Sequence, residues 1–246
     1  MPSRWWVPVP GVDPDRVKLE FVHAAVSRWF DRSAAEHAAG EKPYAVSPLA
    51  ADDRGGPPGL EIAVFTDDAE RRLLAATGEG SGIRLGNQIR ATGRATRMMS
   101  ATWDELAAGP HEQAWELTFA TPVTFRSGNR ATPLPEVGTI LFGLARAWTA
   151  WSDLQLPPPH LAIDKTYVSD LELTSTTLRI AIPKRSGDGG RVEIAVPGSL
   201  GMLRLRCSDP HAAATAAPLL RFAAYAGVGS MTRRGLGVTR LRTIRP

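Results

Sequence analysis

The spacing of apolar positions changes several times along the chain, and each change predicts an element. Trp5-Trp6-Val7-Pro8-Val9 reads as a short strand. Asp13-Pro14-Asp15 then opens a helix with a capping aspartate, a proline at its first position and acid in its first turn. Leu19, Val22, Val26, Trp29 and Phe30 keep the helical period to Phe30. Two apolar runs, residues 44–49 and 60–65, read as strands joined by a Gly/Pro-rich turn at 55–59. Thr66 caps a helix running to Ala76, and residues 83–99 read as an extended basic segment. The order is β-α-β-β-α-β.

The second half repeats it. Residues 115–125 alternate as a strand, and Val137, Ile140, Leu141, Leu144, Trp148 and Trp151 line one face of a helix over 135–151, where the aromatics are expected to be core. Strands are predicted at 167–173, 178–183, 192–196 and 202–207, then a helix ending near Ala226 and a last strand over 238–244. Pro218 removes a helical hydrogen bond, so that helix is expected to begin there. Two such units predict an α+β protein of two tandem ferredoxin-like domains, residues 1–112 and 113–246, divided where Ala-Ala-Gly-Pro-His interrupts the pattern at 107–111.

Composition narrows the function classes. With 246 residues and 43% apolar content, the chain has ample core for one large or two small domains. No run approaches the ~20 apolar residues of a membrane span, and the N-terminus lacks the apolar stretch of a signal peptide. The single cysteine, Cys207, excludes an intrachain disulfide framework and points to a reducing cytoplasm. The net charge is only +4, yet residues 201–246 hold eight arginines against one acid, Asp209. Residues 80–102 hold Arg84, Arg90, Arg94 and Arg97 and no acid. Clustered arginine suits a polyanion better than a small acidic metabolite.

One loop adds chemistry. Gly227-Val-Gly-Ser-Met-Thr-Arg-Arg-Gly-Leu-Gly237 combines glycines that permit close main-chain approach with two guanidinium forks matched to phosphate. By itself it reads equally as a helix C-cap followed by a bend. It follows a helix and leads into a strand, which separates it from Walker A and dinucleotide-binding loops and makes ATP and NAD poor choices.

Three segments together resemble a family. Lys42-Pro-Tyr-Ala-Val-Ser-Pro-Leu49, Phe119-Ala-Thr-Pro-Val-Thr-Phe125 followed by Leu134-Pro135, and the glycine loop through Thr232 are similar, in this order, to motifs of the CRISPR-associated endoribonucleases that process precursor CRISPR RNA. These belong to the repeat-associated mysterious protein (RAMP) superfamily. The resemblance implies cleavage of repeat RNA without metal or cofactor, the ribose 2′-OH attacking the adjacent phosphate to leave a 2′,3′-cyclic phosphate and a 5′-OH. It also implies CRISPR RNA, and other CRISPR effector subunits or a second copy of the chain, as partners. A binder of CRISPR RNA without catalysis is the alternative.

The family commonly places a catalytic histidine after its first helix, where this chain has His37. His23 competes, although its position beside Val22 and Val26 suits a packed histidine; His111, His160 and His211 adjoin prolines. Lys42, Arg28 and Arg32 are candidates to stabilise developing negative charge. Some members pair the histidine with a tyrosine, whereas Tyr44, Tyr167 and Tyr225 all fall outside the first helix. RNA contacts are expected from Gly227, Gly229, Thr232, Arg233, Arg234, Gly235, Gly237 and Arg240. No spacing suggests a metal site.

Overall fold

The computed structural model describes residues 1–78, 80–110, 112–128, 130–183 and 190–244. His111 and Arg245 lie outside the described residues. The first half contains β1 (Ser3–Pro8), α1 (Leu19–Phe30), α2 (Ala34–Ala38), β2 (Tyr44–Ala50), β3 (Gly59–Val64), α3 (Asp67–Ala76), the hairpin β4 (Gly82–Leu85) and β5 (Gln88–Ala91), and β6 (Thr96–Ser100). Its main sheet is antiparallel, in the order β2-β3-β1-β6. Val22, Val26 and Phe30 of α1 and Leu73 of α3 close over Val7, Val46, Leu60 and Ile62. Each such side chain taken from water contributes roughly 1.5–3 kcal/mol.

After α4 (Trp103–Ala108) come β7 (Ala114–Val123), the small hairpin β8 (Phe125–Ser127) and β9 (Arg130–Thr132), α5 (Val137–Trp151) and α6 (His160–Ile163). They are followed by β10 (Thr166–Pro183), β11 (Arg191–Cys207), α7 (Pro210–Ala226) and β12 (Thr239–Thr243). The second sheet runs β10-β11-β7-β12 and is also antiparallel. In both sheets the first and third strands of the unit are central and the second and fourth are at the edges. That is the ferredoxin-like order, present twice. No described helix is long and apolar enough to cross a membrane.

Four local expectations change. Asp13 caps only a 3-10 turn, Pro14–Arg16, because Val17 is extended and packs on the first core; α1 starts afresh at Leu19. The basic segment at 83–99 is a hairpin and a strand. The four short strands of the second half are two long ones, since the Thr- and Ser-containing middle pairs without interruption from Thr174↔Leu200 to Thr177↔Pro197. Finally, α7 begins at Pro210, not at Pro218. The Asp209 carboxylate accepts from the His211 and Ala212 N–H groups, at 2.7 and 3.4 Å, and Pro210 opens the first turn. Pro218 then sits inside a helix buried on most sides, where packing offsets the hydrogen bond it lacks.

α7 also joins the halves. Its Phe222 meets Phe65 of the first half edge to face at 5.4 Å, and Ala45 and Ala63 share the apolar cluster of the second sheet. Beside this contact Arg4, with a side chain only 5% exposed, bonds Glu61 at 3.3 Å and the Thr239 carbonyl at 3.4 Å. This packing fixes α1 and α2 relative to the glycine loop.

Candidate active site

Where the polar side of α1 and the short α2 face the β10–β11 hairpin and the glycine loop, they enclose a cleft of about 540 Å³. Both candidate histidines, His23 and His37, line it, with Arg28, Arg32, Arg191 and Arg234; Glu20 and Asp31 are its acids. Residues from three separate parts of the chain therefore meet at one site.

His37 rides on α2, a helix absent from the residue pattern read above. The helix is short, so its ends hold it. The Ser33 hydroxyl accepts from the Glu36 N–H at 3.0 Å, and the Glu36 carboxylate accepts from the Arg32 N–H at 2.5 Å. Arg72 donates to both Glu36 oxygens at 3.2 Å and to the Phe30 carbonyl, and its guanidinium forms an ion pair with Asp68 at 2.6 Å, tying α2 to α3 and to the end of α1. The Arg72 hydrogen bonds also hold the Glu36 carboxyl below the usual carboxylate range. Ser33-x-x-Glu36 is the sequence signal for this helix.

The imidazole of His37 is 67% exposed, and its Nδ1 lies 2.9 Å from Asp31 Oδ2. Asp31 is itself only 7% exposed, and its other oxygen accepts from Lys42 Nζ at 2.8 Å. Lys42 also donates to the Glu36 carbonyl and is 4% exposed, so its ammonium is enclosed and does not line the cleft. With the carboxylate accepting the Nδ1 proton, Nε2 is left as the nitrogen available for proton transfer. Asp31 and Arg191 had no sequence signal: Asp31 meets His37 only because α2 turns back on α1.

His23 is different. Its Nδ1 lies 2.9 Å from the Arg233 carbonyl, to which it donates, latching α1 to the glycine loop. Burial first, then Arg234 and, more weakly, Arg233 and His37, push its pKa down to about 4, against which the Arg233 carbonyl works. It is therefore neutral at pH 7. The sign of the linkage follows: a histidine depressed in the folded state stabilises fully above its ordinary pKa of about 6.5, and the contribution is lost as pH falls towards 4. We expect about 1–3 kcal/mol of stability to disappear between these limits, after discounting for partial exposure. Urea unfolding at pH 4.5 and 7.5 should show a smaller difference for His23→Gln than for wild type.

The glycine loop is shaped by main-chain contacts. Gly227 (φ +73°) and Gly237 (φ +71°) lie back to back, joined by Val228 N–H to the Gly237 carbonyl at 2.9 Å; a Cβ at Gly237 would collide with the Val228 carbonyl. Gly229 lies on the Thr124 carbonyl, Gly235 against Leu19 and Pro48, and the Thr232 methyl fills the space between Gly227 and Gly237. Closed in this way, the loop presents the 3-10 turn Thr232–Arg234. The first N–H groups of such a turn have no intrahelical acceptor, and they accompany the two guanidiniums. Arg233 donates to the Ala39 carbonyl at 3.2 Å, tying the loop to the end of α2. Arg234 lines the cleft, where burial and then Arg233 and Arg191 press its pKa below the usual arginine value. Crowded positive charge of this kind is relieved by a bound phosphate.

Of the remaining candidates, Arg28 is exposed in the cleft with no ion pair among the described residues. Arg240 is elsewhere, on β12, clasping both Glu61 oxygens with two guanidinium bonds, that to Oε2 at 2.8 Å. Tyr44 stacks on Phe30 at 4.3 Å and is 1% exposed, Tyr225 is in the core, and Tyr167 is exposed on β10. Among the described residues no group of three or more His, Cys, Asp or Glu is arranged to hold a metal ion.

Comparison with known proteins now bears on this site. Residues 117–239, half of the chain, match the family model of the CRISPR-associated endoribonuclease Cas6. A search of curated proteins found no match. Among solved structures, a Cas6 product complex aligns over 98% of this chain and 100% of its own, with TM-score 0.75 and 22% identity. Thermus thermophilus Cas6 aligns over 98% of both chains, with TM-score 0.67 and 24% identity. A RAMP protein described as binding different RNA substrates aligns over 98% of this chain and 99% of its own, with TM-score 0.59 and 13% identity. The duplicated ferredoxin-like fold is thus that of RAMP proteins, and the chain belongs to the Cas6 family of CRISPR-associated endoribonucleases that process CRISPR RNA.

Proposed function

We propose that the protein cleaves CRISPR repeat RNA by transesterification in the cleft between α1, α2 and the glycine loop, with His37 as the proton-transfer group. The observation that carries this reading is the meeting of an exposed, carboxylate-oriented imidazole with arginines from both halves of the chain. The RNA supplies its own nucleophile. His37 Nε2 accepts the proton of the ribose 2′-OH as that oxygen attacks the adjacent phosphorus, while Asp31 holds the Nδ1 proton and compensates the charge that the imidazole gains. Arg28, Arg32, Arg191 and Arg234 face the phosphate, whose charge grows in the pentavalent transition state. The P–O5′ bond then breaks and the leaving oxygen takes a proton from water, giving a 2′,3′-cyclic phosphate and a 5′-OH.

In this reading Lys42 acts through Asp31 and not on the RNA, because its ammonium is enclosed by Asp31 and the Glu36 carbonyl. His23 serves as the latch of the glycine loop. RNA as the substrate class is supported by the product complex among Cas6 relatives and by the RNA-binding RAMP protein of the same fold.

The base assignment has its own test. A 5′-phosphorothiolate at the cut site gives a sulfur leaving group that needs no protonation. If His37 takes the 2′-OH proton, His37→Ala remains slow on this RNA. Recovery of the wild-type rate would instead make His37 the general acid.

A further inference from the structure

The acid-free stretch 80–102 is not used by the chemistry above, and its place in the fold gives it a role. We propose that the groove between α1 and the β4–β5 hairpin binds the single-stranded RNA that flanks the cut site, with Phe21 as a base-stacking platform; this rests on the assignment of the cleft as the cleavage site. Beyond the active cleft lies a second one of about 680 Å³, which shares Ala24, Arg28 and Arg191 with it and adds Phe21, Arg84 and Asn87. A third, of about 260 Å³, shares Phe21 and Asn87 with the second and adds Arg16, Gln88 and Arg90. Through these shared lining residues each cleft adjoins the next along α1.

Local structure explains why these clefts are open and basic. Phe21, Ala24 and Arg28 recur at helical spacing and form one stripe of α1, next to the stripe of Glu20, His23 and Ser27 that faces the active cleft. The hairpin anchors itself by Ile83 and Leu85, buried in the first core, so Arg84, Asn87, Gln88 and Ile89 project outward. Its turn lies on the Phe21 ring, with a Cβ at Gly86 only 3.0 Å from Phe21 Cε2, and the partly exposed ring lines both outer clefts.

Charge and chemistry then select the occupant. Arg84 and Arg191 have no ion pair among the described residues, and Asp13 is the one acid lining the two outer clefts. Asp13 is paired with Arg16 at 3.3 Å. Arg90 donates to Gln88 Oε1 at 2.8 Å, while its Nε is buried without a partner. Guanidiniums spaced along a groove, an aromatic face at its centre and side-chain amides at its rim fit a single strand, whose unpaired bases can stack and whose phosphates track the cations. A duplex has no free base face to offer Phe21.

The test is equilibrium binding of repeat RNA carrying a 2′-deoxy at the cut site, so that no cleavage occurs. Three probes are compared by fluorescence anisotropy: a core repeat ending beside the cut, and the same RNA extended by about eight nucleotides on its 5′ or its 3′ side. Wild type should bind one of the extended RNAs about tenfold more tightly than the core, stacking alone being worth that much. Arg84→Ala and, separately, Phe21→Leu should lose most of this gain while binding the core within about twofold of wild type. Arg84→Ala should also lower the salt slope for the extended RNA by about one. An extension that adds nothing in wild type, or a gain that survives both variants, overturns the proposal. Failure of the cleavage-site reading looks different: wild type would then leave the ribose form of the repeat RNA uncut, or His37→Ala would cut it at the wild-type rate, whatever the extensions add to binding.

Discussion

His37→Ala should slow single-turnover cleavage of repeat RNA by about 10²–10⁴-fold, the usual contribution of a positioned proton-transfer group. Its affinity for uncleavable RNA should stay within about threefold. The two effects separate because the imidazole is 67% exposed and, among the described residues, bonds Asp31 alone, so its removal empties no core and breaks no contact of the glycine loop. Phosphate binding is left to the arginines. Rate and affinity falling together would mean that His37 holds RNA and transfers no proton.

Asp31 should give a larger effect on folding and a comparable one on rate. It is 7% exposed and is shared by His37 Nδ1 and the enclosed Lys42. Asp31→Ala leaves an ammonium that is 4% exposed with the Glu36 carbonyl as its remaining acceptor. Breaking a buried pair in this way costs about 3–5 kcal/mol, readable as a lower midpoint in urea. Asp31→Asn separates the two roles. Its amide oxygen still accepts from Lys42, so the stability loss should be smaller, but an N–H₂ facing His37 selects the tautomer that places the proton on Nε2. Cleavage should then fall by about 10²-fold or more while the fold is largely kept. Equal losses of rate and stability across both variants would reduce Asp31 to a structural anchor.

Much of the architecture was legible because it rests on local rules. Thr66 before an acidic first turn, the stripe from Val137 to Trp151 and the alternation at 115–125, which β7 follows as far as Val123, each express a local rule that burial imposes. The failures came where distant contacts override a local signal. Pro218 argues for a helix start, but the Asp209 cap and the burial of α7 between the sheets outweigh it. The Thr- and Ser-containing middle of β10 argues for a break, yet an uninterrupted ladder to β11 keeps it extended.

The site divides in the same way. As candidates, Lys42 and the glycine loop came from ordered motifs and His37 from the family's usual placement of a histidine after the first helix, because each belongs to a local stretch of chain. Asp31 and Arg191 were not, because their meaning depends on α2 folding back and on the hairpin reaching across to α1. The same geometry changes what two cations do. Lys42 faces the carboxylate that orients His37, and Arg240 clasps Glu61 instead of joining the loop. Local residue type identified the charges; long-range packing assigned their partners.

The most direct measurement is single-turnover cleavage in EDTA of two repeat RNAs that differ only by a 2′-OH or a 2′-deoxy at the cut nucleotide, with wild type and His37→Ala side by side. The account predicts that wild type cuts only the ribose RNA and leaves a 2′,3′-cyclic phosphate, and that His37→Ala cuts neither appreciably. Cleavage of the deoxy RNA, a requirement for added Mg²⁺, or a wild-type rate from His37→Ala would contradict it.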